Sequence, residues 1–287
     1  MEKVYIILIN YNNFEITKEC IGSIMNIDYP CYQIIVVDNG STDNSYTLLT
    51  SEYSDNEKVT ILKSDENLGF SGGNNIAIKY AIEQGGRFFL LLNNDTEVEP
   101  DFLSVMMSKC EDDTAVAPLI YLYDQPDKVW YGGGFFKRYI TKVLNRRPKK
   151  ERLVNFASGC CVLLTKHIID TVGLLDEDFF MYCEDVDYSL RIYEKGCKIL
   201  YTPDAVIYHK FGKTSNKVSS KLSVYYLNRN RFYLIKKYKL GFVSIVYTCA
   251  TRLVRYLMSY IVKSNDDIIL RAYRDFRRGK VGKWEQE

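Results

Sequence analysis

Apolar and polar positions alternate in blocks over the first hundred residues. Residues 4–9 form a continuous apolar run that stops at Asn10-Tyr11-Asn12. Ile16, Cys20, Ile21 and Ile24 then recur at helical spacing, with Thr17, Lys18 and Glu19 on the other face. Further apolar runs cover 33–37, 59–62 and 88–92, and helical spacing returns at 76–84. Runs of this length without alternation predict strands buried on both faces, as in a parallel sheet. Strand and helix alternating four times predict an α/β fold with a mainly parallel, doubly wound sheet and right-handed crossovers. Such sheets bind ligands beyond the carboxyl ends of their strands. Here those ends carry Asp38 and Asn93-Asn94-Asp95, and Ser41 or Thr42 can cap the helix after Asp38.

Beyond residue 100 the pattern is looser. A helix is expected from Pro100 to about Cys110 and a strand at 115–118. Residues 121–156 show no period and contain Gly132-Gly133-Gly134 and the basic run 146–150. They read as a long, mobile loop over a site. Residues 157–164 are apolar and start at Ser158-Gly159, and a short helix at 165–172 stops at Gly173. Val186, Leu190 and Tyr193 share one helical face. Short strands are expected at 199–202 and 205–208, the second ending at His209. Helical patterns cover 219–238, 242–262 and 266–278. Two units follow from this: an α/β body at 1–212 and a helical C-terminal extension at 213–287.

Charge sharpens that division. The net charge is +2, but from Lys213 onward there are 17 Lys and Arg against 5 Asp and Glu. An acidic body with a basic, aromatic-rich tail points the tail at an anionic partner. No run reaches the 18 or more apolar residues of a membrane span, and the N-terminus lacks a signal-peptide apolar region. The eight cysteines show no CxxC and no zinc spacing. They read as reduced, mostly buried residues of a cytosolic protein.

Three acidic clusters carry candidate chemistry. Asp38 can bond a nucleotide base or ribose, or simply close its own turn. Asp95 can hold a hard divalent cation, Mg²⁺ or Mn²⁺, whose shell a diphosphate and water complete, or it can be a turn residue. His209 can join Asp95 if both strand ends belong to one sheet, or be structural. Glu184, Asp185 and Asp187 open a helix, where they suit its dipole. Three carboxylates in four residues also repel, which raises at least one pKa toward that of a general base. Arg191 stands at i,i+4 from Asp187. Residues 67–75, with three glycines and three asparagines, let backbone approach a ligand and open a helix N-terminus that favours anions. They match neither a P-loop nor GxGxxG, which argues against an ATPase and a dinucleotide dehydrogenase.

Taken together, ILINYNN, VVDNGSTD, NLGFSGGNN, LLNNDTEV, ASGCCVL, GLLDEDFFMYCEDVDYSLR and IYHKFG resemble the inverting family-two glycosyltransferases of GT-A fold. They span residues 4–212, and bacterial rhamnosyltransferase-like members look most similar. The resemblance implies a donor-binding half at about 1–98 and an acceptor half at about 99–212. It implies donor contacts from Asn10, Tyr11, Asp38, Asn67, Gly69, Gly72, Asn75, Asn94 and Asp95. Asp95 and His209 become the ligands of a divalent cation, with Asn93 standing where the family's first DxD aspartate lies. Asp185 becomes the catalytic base, supported by Glu184, Asp187 and Arg191, with Trp130 or Phe179 as an aromatic wall. The implied donor is a dTDP or UDP sugar, with L-rhamnose from dTDP-rhamnose as the leading choice. The implied acceptor is a lipid-linked or growing cell-surface glycan.

Two other readings are weaker. A nucleotidyltransferase needs a Gly-rich, Lys- or Arg-bearing loop where this chain has Ile9-Asn10-Tyr11-Asn12-Asn13. A non-catalytic nucleotide-sugar binder has no need of Glu184-Asp185. In the tail, aromatic residues interleave with Arg229, Arg231, Arg252 and Arg255. That pattern suits an interfacial helix pair on anionic lipid at the cytoplasmic membrane face. The other occupant is the body itself or a second subunit in a homodimer. Interleaved basic and apolar positions do not suit nucleic acid.

Overall fold

The computed structural model describes residues 1–145, 150–210, 217–261 and 267–284. The expected alternation forms at the N-terminus. It runs β1 (Val4–Asn10), α1 (Phe14–Ile24), β2 (Tyr32–Asn39), α2 (Ser45–Tyr53), β3 (Val59–Ser64), α3 (Gly69–Glu83) and β4 (Phe88–Leu92). The four strands pair in parallel in the order β4-β1-β2-β3. The all-apolar strands are buried on both faces, as their lack of alternation requires.

The chain then adds β5 (Thr96–Val98), α4 (Phe102–Ser108) and β6 (Thr114–Leu122). β7 (Gln125–Tyr131), β8 (Gly134–Lys137), β9 (Lys142–Asn145), β10 (Arg152–Val154) and β11 (Cys161–Thr165) follow. Next come α5 (Lys166–Val172), α6 (Glu184–Glu194) and β12 (Lys198–His209). The sheet continues through β11, β6, β12 and β10. β11 is antiparallel to both β4 and β6, while β12 runs parallel to β6. β5 folds back antiparallel on β12, with Thr96 opposite His209.

Several expectations are corrected here. The described part of 121–156 is not a structureless loop. β7 returns along β6 as a hairpin, and β8 and β9 pair as a second small sheet. Buried aromatics hold it: Tyr131 Oη donates to the Phe156 carbonyl at 2.7 Å, and Phe136 is buried. Residues 146–149 of the basic run lie outside the described residues. The two short strands near 200 are one strand, β12, with a register shift between Thr202 and Val206. α3 starts at Gly69, so most of 67–75 is helix. Neither Ser41 nor Thr42 caps α2; the Asp43 carboxylate accepts from the Ser45 N–H instead. Thr17 faces inward and is fully buried, while Ile16 is half-exposed.

Three helices close the chain: α7 (Lys217–Lys237), α8 (Phe242–Ile261) and α9 (Ile268–Arg277). α7 packs against residues 176–187, and α9 packs on α7 through Phe232, Tyr273 and Phe276. α8 instead shows solvent a row of large apolar side chains. Among the described residues, no helix is long and apolar enough to cross a membrane. All eight cysteines are free, and five are buried.

Candidate active site

The parallel register sets the carboxyl ends of β1, β2 and β4 side by side, and a chain of polar side chains links them. Asn94 Nδ2 donates to Thr17 Oγ1 at 2.7 Å, and Thr17 Oγ1 to Asn10 Oδ1 at 2.8 Å. Asn10 Nδ2 donates to Asp38 Oδ2 at 2.8 Å. Ser41 Oγ donates to the same carboxylate oxygen at 2.6 Å. Asp38 therefore closes its own turn and is buried, as is Asn10. Thr17 is the residue that joins these strand ends. Its polar side chain hides it in the sequence, but its i,i+3, i,i+4 and i,i+7 spacing to Cys20, Ile21 and Ile24 puts it on the buried face of α1 and is the signal that could have found it. Beside the chain opens a cleft of ≈ 250 Å³, lined among others by Tyr11, Asn67, Gly69, Asn94, Asp95 and Met181.

At one end of the cleft Asp95 meets His209. Asp95 Oδ1 lies 3.1 Å from His209 Nε2, and both side chains are largely buried. The β5–β12 pairing creates this contact. The Trp130 ring stands edge-on to the imidazole, with centroids 4.6 Å apart. Trp130 thus walls His209, not Asp185, and Phe179 packs on Tyr233. One carboxylate and one imidazole form a donor set that suits Mg²⁺ or Mn²⁺ when a diphosphate supplies the other oxygens. Among the described residues there is no cluster of three or more such groups.

The glycines of α3 serve the protein's own backbone. Gly69 has φ +71°, and a Cβ there would collide with the Phe180 carbonyl and ring. The Phe180 carbonyl accepts from Phe70 N–H at 2.7 Å, and Asn67 Oδ1 accepts from Gly69 N–H at 2.8 Å. The helix N-terminus expected to receive an anion is therefore capped internally. Gly72 abuts Leu68, and a side chain at Gly73 would press on Ile9. Asn75 is committed to residues 175–177: Nδ2 donates to the Leu175 carbonyl and to Glu177, and Oδ1 accepts from Leu175 N–H.

The segment leading into α6 is strained. Phe180, Tyr182 and Cys183 all have positive φ, at 61°, 63° and 72°. Side chains from α7 hold it there. Asn230 Nδ2 lies 2.8–2.9 Å from the carbonyls of Phe179, Met181 and Tyr182. Strain of this kind costs about 1–3 kcal/mol per residue and persists only where surroundings enforce it.

The three carboxylates of α6 take different places. Glu184 is buried, and burial followed by the Asp185 charge pushes its pKa well up. Asp185 is half-buried; burial lifts its pKa from 3.8 to about 6, against backbone N–H donors that include Val186 and Gly159. Gly159 sits between the Phe70 ring and Asp185, where a Cβ would be 3.1 Å from Phe70. Sequence pattern does not single out Gly159 and Phe70 as site residues, although Ser158-Gly159 marks that strand's start. Asp187 is fully buried in a structural network. The expected i,i+4 pair forms, with Arg191 Nε 2.8 Å from Asp187 Oδ2. Asp187 Oδ1 accepts from Tyr238 Oη at 2.7 Å and pairs with Lys237 Nζ at 2.6 Å.

The match to known families decides what this arrangement is. Residues 5–173 fit the model of glycosyl transferase family 2. The chain belongs to that family. This transferase is 26% identical to a dTDP-rhamnosyl transferase, RfbF of Shigella flexneri, covering 72% of this chain and 71% of that protein. It is 27% identical to the N-acetylglucosaminyl-diphospho-decaprenol L-rhamnosyltransferase of Mycobacterium tuberculosis, covering 67% and 71%. A mannosyltransferase from Pyrobaculum calidifontis, solved with GDP-Man and Mn²⁺, superposes with a TM-score of 0.63. That match covers 96% of this chain and 87% of the other at 14% identity. The fold of the transferase is GT-A.

Proposed function

We propose that this glycosyltransferase inverts configuration with Asp185 as its base. It would pass a sugar, with L-rhamnose from a dTDP donor as first choice, to a lipid-linked or growing cell-surface glycan. The observation that carries the reading is Asp185 itself. It is a half-buried carboxylate at the start of α6, beside Gly159 and Phe70, with a pKa of about 6. Such a group is ionised at neutral pH yet basic enough to accept a proton. It takes the proton of the acceptor hydroxyl as that oxygen attacks the anomeric carbon from the side opposite the diphosphate. The carbon–oxygen bond to the diphosphate breaks, and the nucleoside diphosphate leaves with the electron pair.

Donor placement follows from the cleft. Tyr11, Asn67, Gly69, Asn94 and Asp95 line it, and Asn10 and Asp38 brace its strand ends. Gly72, Asn75, Glu184, Asp187 and Arg191 support from outside. Asp95 and His209 would hold a divalent cation, which when bound offsets charge on the departing diphosphate. Residues to about 98 serve the donor, and 99–212 serve the acceptor. The rhamnosyl choice draws on the two relatives' names, one of which includes a polyprenyl diphosphate acceptor.

The extension at 213–287 would rest on the cytoplasmic membrane face. Phe242, Val243, Val246, Leu253, Val254 and Leu257 of α8 are all at least 48% exposed, next to Arg255. Aliphatic side chains dipping between head groups, with arginines at the phosphates, suit that surface.

Asp185→Asn tests the reading. Transfer should fall about 10²–10⁴-fold, the usual share of general-base catalysis. Donor binding, read by thermal shift across a panel of nucleotide sugars, should survive. Wild-type turnover in this variant would refute the assignment.

A further inference from the structure

Three arginines of the C-terminal helices gather, and among the described residues none has an acidic partner. Arg252 Nη1 donates to Asn228 Oδ1 of α7 at 3.2 Å, while its Nε is buried and lacks a hydrogen-bond partner. Arg231 lies one turn beyond Asn228 on α7, and Arg255 one turn beyond Arg252 on α8. Burial and the charges of Arg231 and Arg255 together pull the Arg252 guanidinium down to about 10. Among the described residues no carboxylate pairs with any of the three. Like charges held together without a counter-charge destabilise the fold unless an anion completes the site.

Two neighbours say which anion. The first is an apolar groove of ≈ 220 Å³ between α7, α8 and α9, with Arg252 on its wall. Phe232, Leu253, Ile269, Leu270 and Tyr273 line it. The second is the base segment. Arg231 directly follows Asn230, whose Nδ2 bonds the Met181 and Tyr182 carbonyls, and the charges of Arg231 and Arg252 draw the Cys183 thiol down against its burial. Cys183 directly precedes Glu184 and Asp185. The cationic cluster thus sits between an oil-like channel and the group that would activate the acceptor.

We propose that Arg231, Arg252 and Arg255 bind the diphosphate of a lipid-linked acceptor whose hydrocarbon chain lies in the groove between α7, α8 and α9. This rests on the lipid-linked acceptor of the proposed function and specifies its binding site. A diphosphate offers several oxygens, and guanidinium forks match them in pairs. Arg252 is recessed beside the groove, where a single inserted head group reaches it. A bulk phospholipid surface would be met by the outward face of α8.

The test uses the full chain and geranylgeranyl diphosphate in neutral detergent, with affinity read by equilibrium dialysis. Geranylgeraniol, inorganic diphosphate and phosphatidylglycerol are the comparators. The diphosphate lipid should bind wild type at least tenfold more tightly than each comparator. Arg252→Gln/Arg255→Gln should weaken it at least tenfold; Arg255→Gln alone, which alters only an exposed charge, should weaken it by less but measurably. Leu270→Gln should weaken the diphosphate lipid and leave inorganic diphosphate unaffected. Equal affinity in the double arginine variant overturns the proposal, as does equal binding of phosphatidylglycerol. Binding is measured without donor. Failure of the catalytic reading, seen as transfer by Asp185→Asn, is therefore separate from failure of this one.

Discussion

Asp95 and His209 touch only because β5 folds back onto the end of β12. Thr96 pairs with His209 across that ladder, which leaves Asp95 Oδ1 3.1 Å from His209 Nε2. If the two hold one cation, they act as a unit. Asp95→Asn and His209→Ala should each weaken Mn²⁺ binding at least tenfold in the presence of nucleoside diphosphate, and the double variant should be little worse than either. Calorimetric titration with Mn²⁺ reads this independently of turnover. Additive losses would mean two separate roles. Activity should also fall on chelation and return with Mn²⁺ or Mg²⁺; full activity in excess chelator removes the cation from the reaction.

The raised pKa of Asp185 fixes a pH dependence. If Asp185 is the proposed base it must be ionised, so kcat/KM should rise through a limb near pH 6, its folded value. Stability should move the other way. The folded pKa exceeds the unfolded value of about 3.9, so the folded state holds the proton more tightly. Stability linked to this group falls as pH rises from about 4 to about 6. Asp185→Asn removes the charged form, so the variant should melt higher than wild type at pH 8. The ceiling is about 3 kcal/mol, since each tenfold difference in proton affinity between the two states is worth about 1.4 kcal/mol. A variant less stable than wild type at pH 8 but equal at pH 4 contradicts this sign.

Much of the sheet was legible because fully buried parallel strands leave uninterrupted apolar runs, as in β1, β2 and β4. Asp95 and His209 were legible as strand-end residues, and Asp187–Arg191 as a helical pair. What stayed hidden depends on tertiary contact. Thr17 reads as a surface residue because it is polar; its spacing to Cys20, Ile21 and Ile24 marks the buried face, but only the fold supplies Asn10 and Asn94 as partners. The glycines of 67–75 read as a loop around a ligand, because nothing local announces the Phe180 carbonyl that needs the space. The aromatic anchors of 121–156 lie at irregular spacing, so no period marked its strands.

Gly69→Ala probes the Phe180 contact. The new Cβ would demand a left-handed residue with a side chain, at about 1–2 kcal/mol, and would also displace Phe180. A loss of about 2–4 kcal/mol in urea unfolding is expected, since relief of one clash moves both α3 and the segment leading into α6. Donor affinity should drop with it, because Gly69 and Phe70 both line the cleft. An unchanged unfolding midpoint would show that the contact relaxes freely.

Asn230 ties the C-terminal helices to the segment that carries the proposed base, Asp185. Its Nδ2 engages three carbonyls of the segment that carries Phe180, Tyr182 and Cys183 at positive φ. Arg229 adds contacts to the Asp178 and Phe179 carbonyls. Removing Asn230 strips hydrogen bonds worth about 0.5–1.5 kcal/mol each. It also frees backbone strain of similar size per residue, so the segment should relax. Asp185 sits two residues beyond that strain, while the cleft proposed for the donor keeps most of its lining. Asn230→Ala should therefore lower kcat about tenfold or more, with donor KM nearly unchanged and faster amide exchange confined to 178–184. An equal loss in kcat and donor affinity, or exchange rising across the whole sheet, would mean that Asn230 serves global stability alone.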